Sequence, residues 1–116
     1  MQAPPFRRPD QPPDLETQIT YLPTVDGGRR GPVASGYRPT HDFGLTGELH
    51  DALHEYPDGG WAVPGATVRA LLWLLAPELQ KGRFYPGLKF TVQEGLRVLG
   101  HGEVTRVVNH ALARDA

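Results

Sequence analysis

The side chains equipped for chemistry in this chain are its imidazoles, one serine and a group of arginines. His50 and His54 stand four residues apart, with Asp51 and Glu55 beside them. On a helix that spacing sets two imidazoles on one face, as zinc sites do, but the H-E-x-x-H order is missing. His41-Asp42 and His101 offer bases without a nucleophile to activate. Ser35, the only serine, falls in Ser35-Gly36-Tyr37-Arg38-Pro39, which is no nucleophile motif. There is no cysteine, and so no disulfide framework and no thiolate metal site. The expectation is therefore no catalytic residue, no metal and no cofactor. Arg29, Arg30 and Arg38 lie close together and can meet phosphate or carboxylate. For Arg29 two readings stand side by side. It pairs with a carboxylate such as Asp26 and fixes a turn, or it contacts phosphate; the first is favoured. Tyr37 and Arg38 read as barrel-closing residues before they read as ligand contacts.

The elements that would position these residues are strands. Leu15, Thr17, Ile19 and Tyr21 alternate with Glu16, Gln18 and Thr20, the pattern of a half-buried strand over 15–22. Further strands are expected over 41–49, 66–75, 88–93 and 96–108. Asp26-Gly27-Gly28 and Asp58-Gly59-Gly60 supply turns. Val63-Pro64-Gly65 and Tyr85-Pro86-Gly87 carry Pro then Gly at the centre of type II turns. Glu94-Gly95 closes a hairpin, and Gly100 and Gly102 suit a bulge, a corner or a close approach in the last strand. After about Val108 the spacing of apolar residues favours a short helical or frayed end. Trp61 and Trp73 are expected to pack in the core or at its rim.

The chain has 116 residues, enough for one domain with its own core. Its 14 glycines and 12 prolines mostly punctuate apolar runs, which argues for an all-β fold and against general disorder. Residues 1–14 read as a disordered Pro- and Arg-rich tail, 15–109 as a β-barrel and 110–116 as a short tail. The tail also contains a P-x-x-P pair, Pro9 and Pro12, readable as a partner site or as plain tail. The longest apolar run, 70–77, is far short of a membrane span, so no membrane partner is expected. With no signal-like apolar segment and no cysteine, the expected location is cytoplasmic. A net charge of −1 gives no bulk attraction to nucleic acid.

Three blocks of the sequence resemble one family. Asp26-Gly27-Gly28-Arg29-Arg30-Gly31-Pro32 followed by Tyr37-Arg38-Pro39 is similar to E-G-G-R-H-T-P-F and Y-R-P-Q-F-Y-F-R-T in the third, C-terminal domain of bacterial elongation factor Tu. Val63-Pro64-Gly65 matches that family's M-P-G-D. The run from Phe90 to Val104 is similar to its F-A-I-R-E-G-G-R-T-V-G-A-G-V-V. Order and spacing agree over about 17–108. The resemblance implies a six-stranded antiparallel β-barrel. It implies no GTP site, because the G-x-x-x-x-G-K-S/T loop and the rest of that factor are missing, and no Gly-Lys pair occurs here.

The same resemblance implies a non-enzymatic binding module. In the family this domain packs on the GTPase domain and touches the T-arm of tRNA. A protein partner is expected before RNA, with a retained tRNA contact as the alternative. The candidate contact residues are Gly28, Arg29, Arg30, Tyr37, Arg38, Lys81, Arg83, Gly100 and Gly102. Lys81 and Arg83 belong to a stretch, 76–90, that is longer than in the family and also carries Phe84 and Tyr85. That loop reads either as a contact surface or as aromatics packed on the barrel. The RNA reading requires Arg29, Arg30, Lys81 and Arg83 on one face. Arg30 stands where the family has His. His41-Asp42-Phe43-Gly44-Leu45 replaces its F-Y-F-R-T, so one phosphate-contacting arginine is lost and an acid gained.

Overall fold

Alternating strands that are apolar on one side bury that side by closing on themselves. The computed structural model describes residues 2–45 and 47–115; Met1 and Ala116, at the outer limits of the two expected tails, and Thr46 lie outside it. Six strands form a closed antiparallel barrel: β1 (Leu15–Tyr21), β3 (Thr40–Asp42), β4 (Leu49–Glu55), β6 (Thr67–Leu74), β7 (Lys89–Glu94) and β8 (Arg97–Val107). Around the barrel the order is β1, β6, β4, β3, β7, β8 and back to β1. Two short strands, β2 (Val33–Ala34) and β5 (Trp61–Ala62), pair with each other outside it. Short 3-10 turns occupy Thr24–Asp26, Pro77–Gln80 and His110–Leu112. The all-β, six-stranded antiparallel barrel expected from the sequence is the architecture observed.

One expected strand is misplaced. Of the stretch 41–49 only His41, Asp42 and Leu49 are strand; β3 ends at Asp42, and β4 runs from Leu49 to Glu55, beyond the expected stretch. Gly44 and Gly47 between them have φ of +70° and +76°, a backbone that no strand can hold. The Asp42 carboxylate accepts the Gly44 N–H at 2.8 Å and starts that turn.

The turns follow their chemistry. Gly65 and Gly87 have φ of +86° and +96°, and the bonds Ala66 N–H to Val63 O and Leu88 N–H to Tyr85 O close both Pro-Gly turns at 3.1 Å. Glu94 pairs with Arg97, leaving Gly95-Leu96 as a two-residue hairpin loop with positive φ at its first position.

The barrel has two distinct ends. At one, β1, β4 and β7 finish at Tyr21, Glu55 and Glu94, while β3, β6 and β8 begin; this is called the hairpin end. At the far end, Phe84 and Leu112 are both buried, and the Phe84 ring meets Phe43 edge-on at 4.9 Å. The Phe84 N–H donates to Leu112 O at 2.8 Å, so 110–113 is tied down as a plug. Residues 2–13 carry no helix or strand, yet they lie against the barrel instead of away from it: Arg8 pairs with Glu55 and the Trp73 indole N–H donates to Gln11 O at 2.9 Å.

Inside, Leu15, Ile19, Ala70, Leu72, Phe90, Val92 and Val104 form the apolar core. The glycines of β8 make room for rings from the neighbouring strands. Gly102 pairs with Phe90, and a Cβ there would stand 2.3 Å from that ring; one at Gly100 would stand 3.3 Å from Tyr21. The close approach expected at these glycines is thus to aromatic side chains as well as to backbone. Gly102→Ala is predicted to cost about 2–3 kcal/mol by overpacking. Gly31→Ala, where a Cβ meets nothing, is predicted to be within about 0.5 kcal/mol of neutral. Urea unfolding of the two variants measures the difference, and equal midpoints would contradict it.

Candidate functional site

The first and third of the resembling blocks meet at the hairpin end. The backbone of Thr24–Asp26 turns through Gly27 at φ +94°. Gly28 then presses against the chain it has left: a Cβ there would stand 2.0 Å from Leu22 O. Its requirement for glycine is therefore space, while that of Gly27 is conformation. Arg97, just after the β7–β8 turn, reaches over this loop and donates to Gly27 O at 2.7 Å and Gly28 O at 3.0 Å. Glu94, just before that turn, accepts from Tyr37 Oη at 2.6 Å and forms an ion pair with Arg29 on the same oxygen. The Arg29 guanidinium also lies over the Tyr37 ring at 5.5 Å. Arg29 has the structural carboxylate partner expected of it, but the partner is Glu94, far along the chain, and not Asp26. Burial raises the Tyr37 pKa, and the Glu94 carboxylate raises it further, so the hydroxyl stays a donor.

Arg30 and Arg38 are exposed near this end. Gly100 pairs with Tyr21 there, and Gly102 lies further down β8 opposite Ile19 and Phe90. Lys81 and Arg83 are elsewhere. They follow the Pro77–Gln80 turn beyond the end of β6, and the Gly82 N–H donates to Ala111 O at 3.0 Å. The barrel length separates them from Arg29 and Arg30. Of the four bases that the RNA reading sets on one face, two lie at each end. In the 76–90 loop the aromatics are turned to the barrel: Phe84 is buried, and Tyr85 stacks under the Arg114 guanidinium at 3.9 Å.

Beneath Tyr37 lies a polar chain that sequence reasoning missed. The Tyr37 ring meets the His54 ring edge-on at 5.7 Å. His54 and His41 are both fully buried, with their Nε2 atoms 2.7 Å apart. His41 Nδ1 lies 2.9 Å from His50 O, and a carbonyl only accepts, so His41 carries its proton on Nδ1. Its Nε2 is then an acceptor, and His54 must donate from Nε2. His54 Nδ1 in turn accepts from Tyr56 Oη at 3.0 Å, and Tyr56 accepts from Tyr21 Oη at 2.6 Å. One direction of donation thus runs from Tyr21 through Tyr56, His54 and His41 to the His50 carbonyl. Every link depends on the next having the right tautomer. Burial depresses His54 well below its ordinary pKa, with His41 adding to it, and brings His41 down to about 4. Burial also raises the pKa of Tyr21 and Tyr56. The spacing His50–Ala52–His54–Tyr56 held the signal: at a strand period of two these residues share a face.

Among the described residues no three His, Asp or Glu side chains gather as a metal site, and no helix is long and apolar enough to cross a membrane. The chain matches no known protein-family model.

The buried pair makes stability depend on pH with a defined sign. The folded pKa lies below the unfolded value of 6.5, so the unfolded chain takes up protons first as pH falls. Stability is complete above about pH 6.5 and is lost as pH drops toward 4. His41 alone accounts for a loss of about 2 kcal/mol between pH 7.5 and 5. Urea midpoints across that range measure it; a flat profile would show that the imidazoles titrate normally.

Proposed function

We propose that this chain is a non-enzymatic binding module related to the third domain of elongation factor Tu, docking on a protein partner through its hairpin end. One observation carries the reading. Residues 26–30, Tyr37 and 94–97, which bear the family resemblance, are held together at that end by Glu94 and Arg97. Two apolar side chains project from the same place. Val25 is 91% exposed and Leu96 90% exposed, on the tips of the two loops that Arg97 joins. Exposed apolar tips rimmed by arginines suit a protein surface, in which burying them gives affinity and the rim gives register.

The polynucleotide reading has less support. The charge of Arg29 is engaged by Glu94, Lys81 and Arg83 lie at the other end, and the net charge is −1. A link to translation rests on the resemblance alone.

The test is binding in trans to an elongation factor Tu truncated before its third domain, a partner that lacks this module. Saturable binding is expected, weakened at least tenfold by Leu96→Asp and unchanged by Lys81→Ala with Arg83→Ala. No binding to the truncated factor, together with salt-sensitive tRNA binding lost in Arg29→Ala with Arg30→Ala, would move the assignment to RNA.

A further inference from the structure

The Pro-rich arm before β1 crosses the outside of the barrel at a place prepared for it. In the β4–β6 register Leu53 pairs with Trp73 and Glu55 with Leu71. Their neighbours Ala52, His54, Leu72 and Leu74 are buried on the core side, so these four form a patch on the outer face. Trp73 and Leu71 are nonetheless only 4% and 6% exposed, values that belong to a core. What crosses the patch is the arm. Arg8 Nε and Nη2 lie 2.9 and 2.8 Å from Glu55 Oε1, and the Trp73 indole N–H donates to Gln11 O at 2.9 Å. Asp14 completes the line: its carboxylate accepts the Leu74 N–H at 2.7 Å and its own N–H donates to Leu72 O at 2.8 Å. Upstream, Gly60 keeps the path clear: a Cβ there would stand 2.8 Å from the Ala3 methyl, while one at Gly36 would make only ordinary contact with the Phe6 ring at 3.6 Å.

The arm's own contacts fall at Arg8 and Gln11, three residues apart, with a bend at Asp10–Gln11; Asp14 continues the β1–β6 ladder. A polyproline helix has three residues per turn and no internal hydrogen bonds, so one edge of it presents every third residue and its carbonyls stay open to donors. Pro9, Pro12 and Pro13 bias the arm toward that conformation before it binds, which lowers the entropy lost on docking. An indole N–H aimed at a carbonyl, an apolar floor and a carboxylate placed for a guanidinium form a reader of such segments.

We propose that the outer face of β4 and β6 is a recognition surface for arginine-bearing polyproline segments, and that the chain's own arm occupies it as a displaceable ligand. The partner it fits is a Pro-rich segment of another protein with Arg directly before P-x-x-P, as Arg8 stands before Pro9 and Pro12. The surface is distinct from the hairpin-end loops.

The test uses the full chain with its arm loosened by Arg8→Glu, Pro9→Gly and Pro12→Gly, titrated with a labelled peptide of the sequence 4–14. Saturable binding is expected, at least tenfold tighter than to the unaltered chain, whose own arm competes. Glu55→Gln and Trp73→Phe, placed in the loosened chain, are each expected to weaken it by about threefold to tenfold. A dimer in which each arm lies on the other copy would equally support the surface. A folded, loosened chain that binds no peptide, or binding indifferent to both substitutions, would overturn the proposal. Should the loosened chain not fold, excess peptide added to the unaltered chain is followed at the Arg8 Nε–H resonance. Movement to the free-arginine position supports displacement, and an unmoved resonance overturns it.

Discussion

Glu94 Oε2 accepts from Tyr37 and from Arg29 together, at the point where β7 turns into β8. The first of the two loops it joins has almost no ladder of its own. Residues 22–32 contain one 3-10 turn and irregular chain, whereas 35–39 reach β4 by backbone bonds, Gly36 N–H to His54 O and His54 N–H to Tyr37 O, both at 2.8 Å. One carboxylate joins the first loop to the second. Arg97 adds the second clamp by donating to the carbonyls of Gly27 and Gly28, which that tight turn leaves pointing outward. The barrel closes by its backbone ladder; its hairpin end takes shape by these few charged hydrogen bonds, which are stronger than neutral ones.

The interior supports the same end from below. A barrel of this size is filled by side chains, and most barrels fill with apolar ones. Here two imidazoles and two phenols take part of the space. They are tolerated because each has a partner and the chain of donation ends on a backbone carbonyl. The arrangement allows little slack. Protonating His41 at Nε2 would face two donors at 2.7 Å, and relief would require reversing His54 and turning Tyr56. Tyr37 rests on His54, so the geometry of the surface carboxylate is coupled through one ring to the buried pair.

Much of this was legible in the residues. Alternation located β1 and β7 to within one position, because strands with one buried side have to alternate; β6 was marked by an apolar run between Pro64-Gly65 and Pro77, and β8 by the Glu94-Gly95 turn before it. Both Pro-Gly turns were readable for the same kind of reason: the residue types leave one conformation. The 41–49 stretch misled because Arg38-Pro39 set an extended start, while two glycines at positive φ broke the strand after Asp42. Glu94 as the partner of Arg29 was not readable, since a pairing across 65 residues leaves no local trace. The histidine relay was hidden because the expected strand stopped at Leu49 and because its members, Tyr21, His41, His54 and Tyr56, are brought together only by the closed barrel. The arm looked like free tail because nothing local reveals that Trp73, on the outer side of β6, would bind its carbonyl.

Glu94 is the joint of the hairpin end, and a double-mutant cycle tests that role most directly. Tyr37→Phe, Glu94→Gln and the double variant are unfolded in urea beside the parent chain. A coupling of about 1 kcal/mol is predicted, because the 2.6 Å hydrogen bond to an ionised acceptor is lost once and not twice. Losses that add to within a few tenths of a kcal/mol would show that Tyr37 and Glu94 act independently, and that the loops of this end are held by something else.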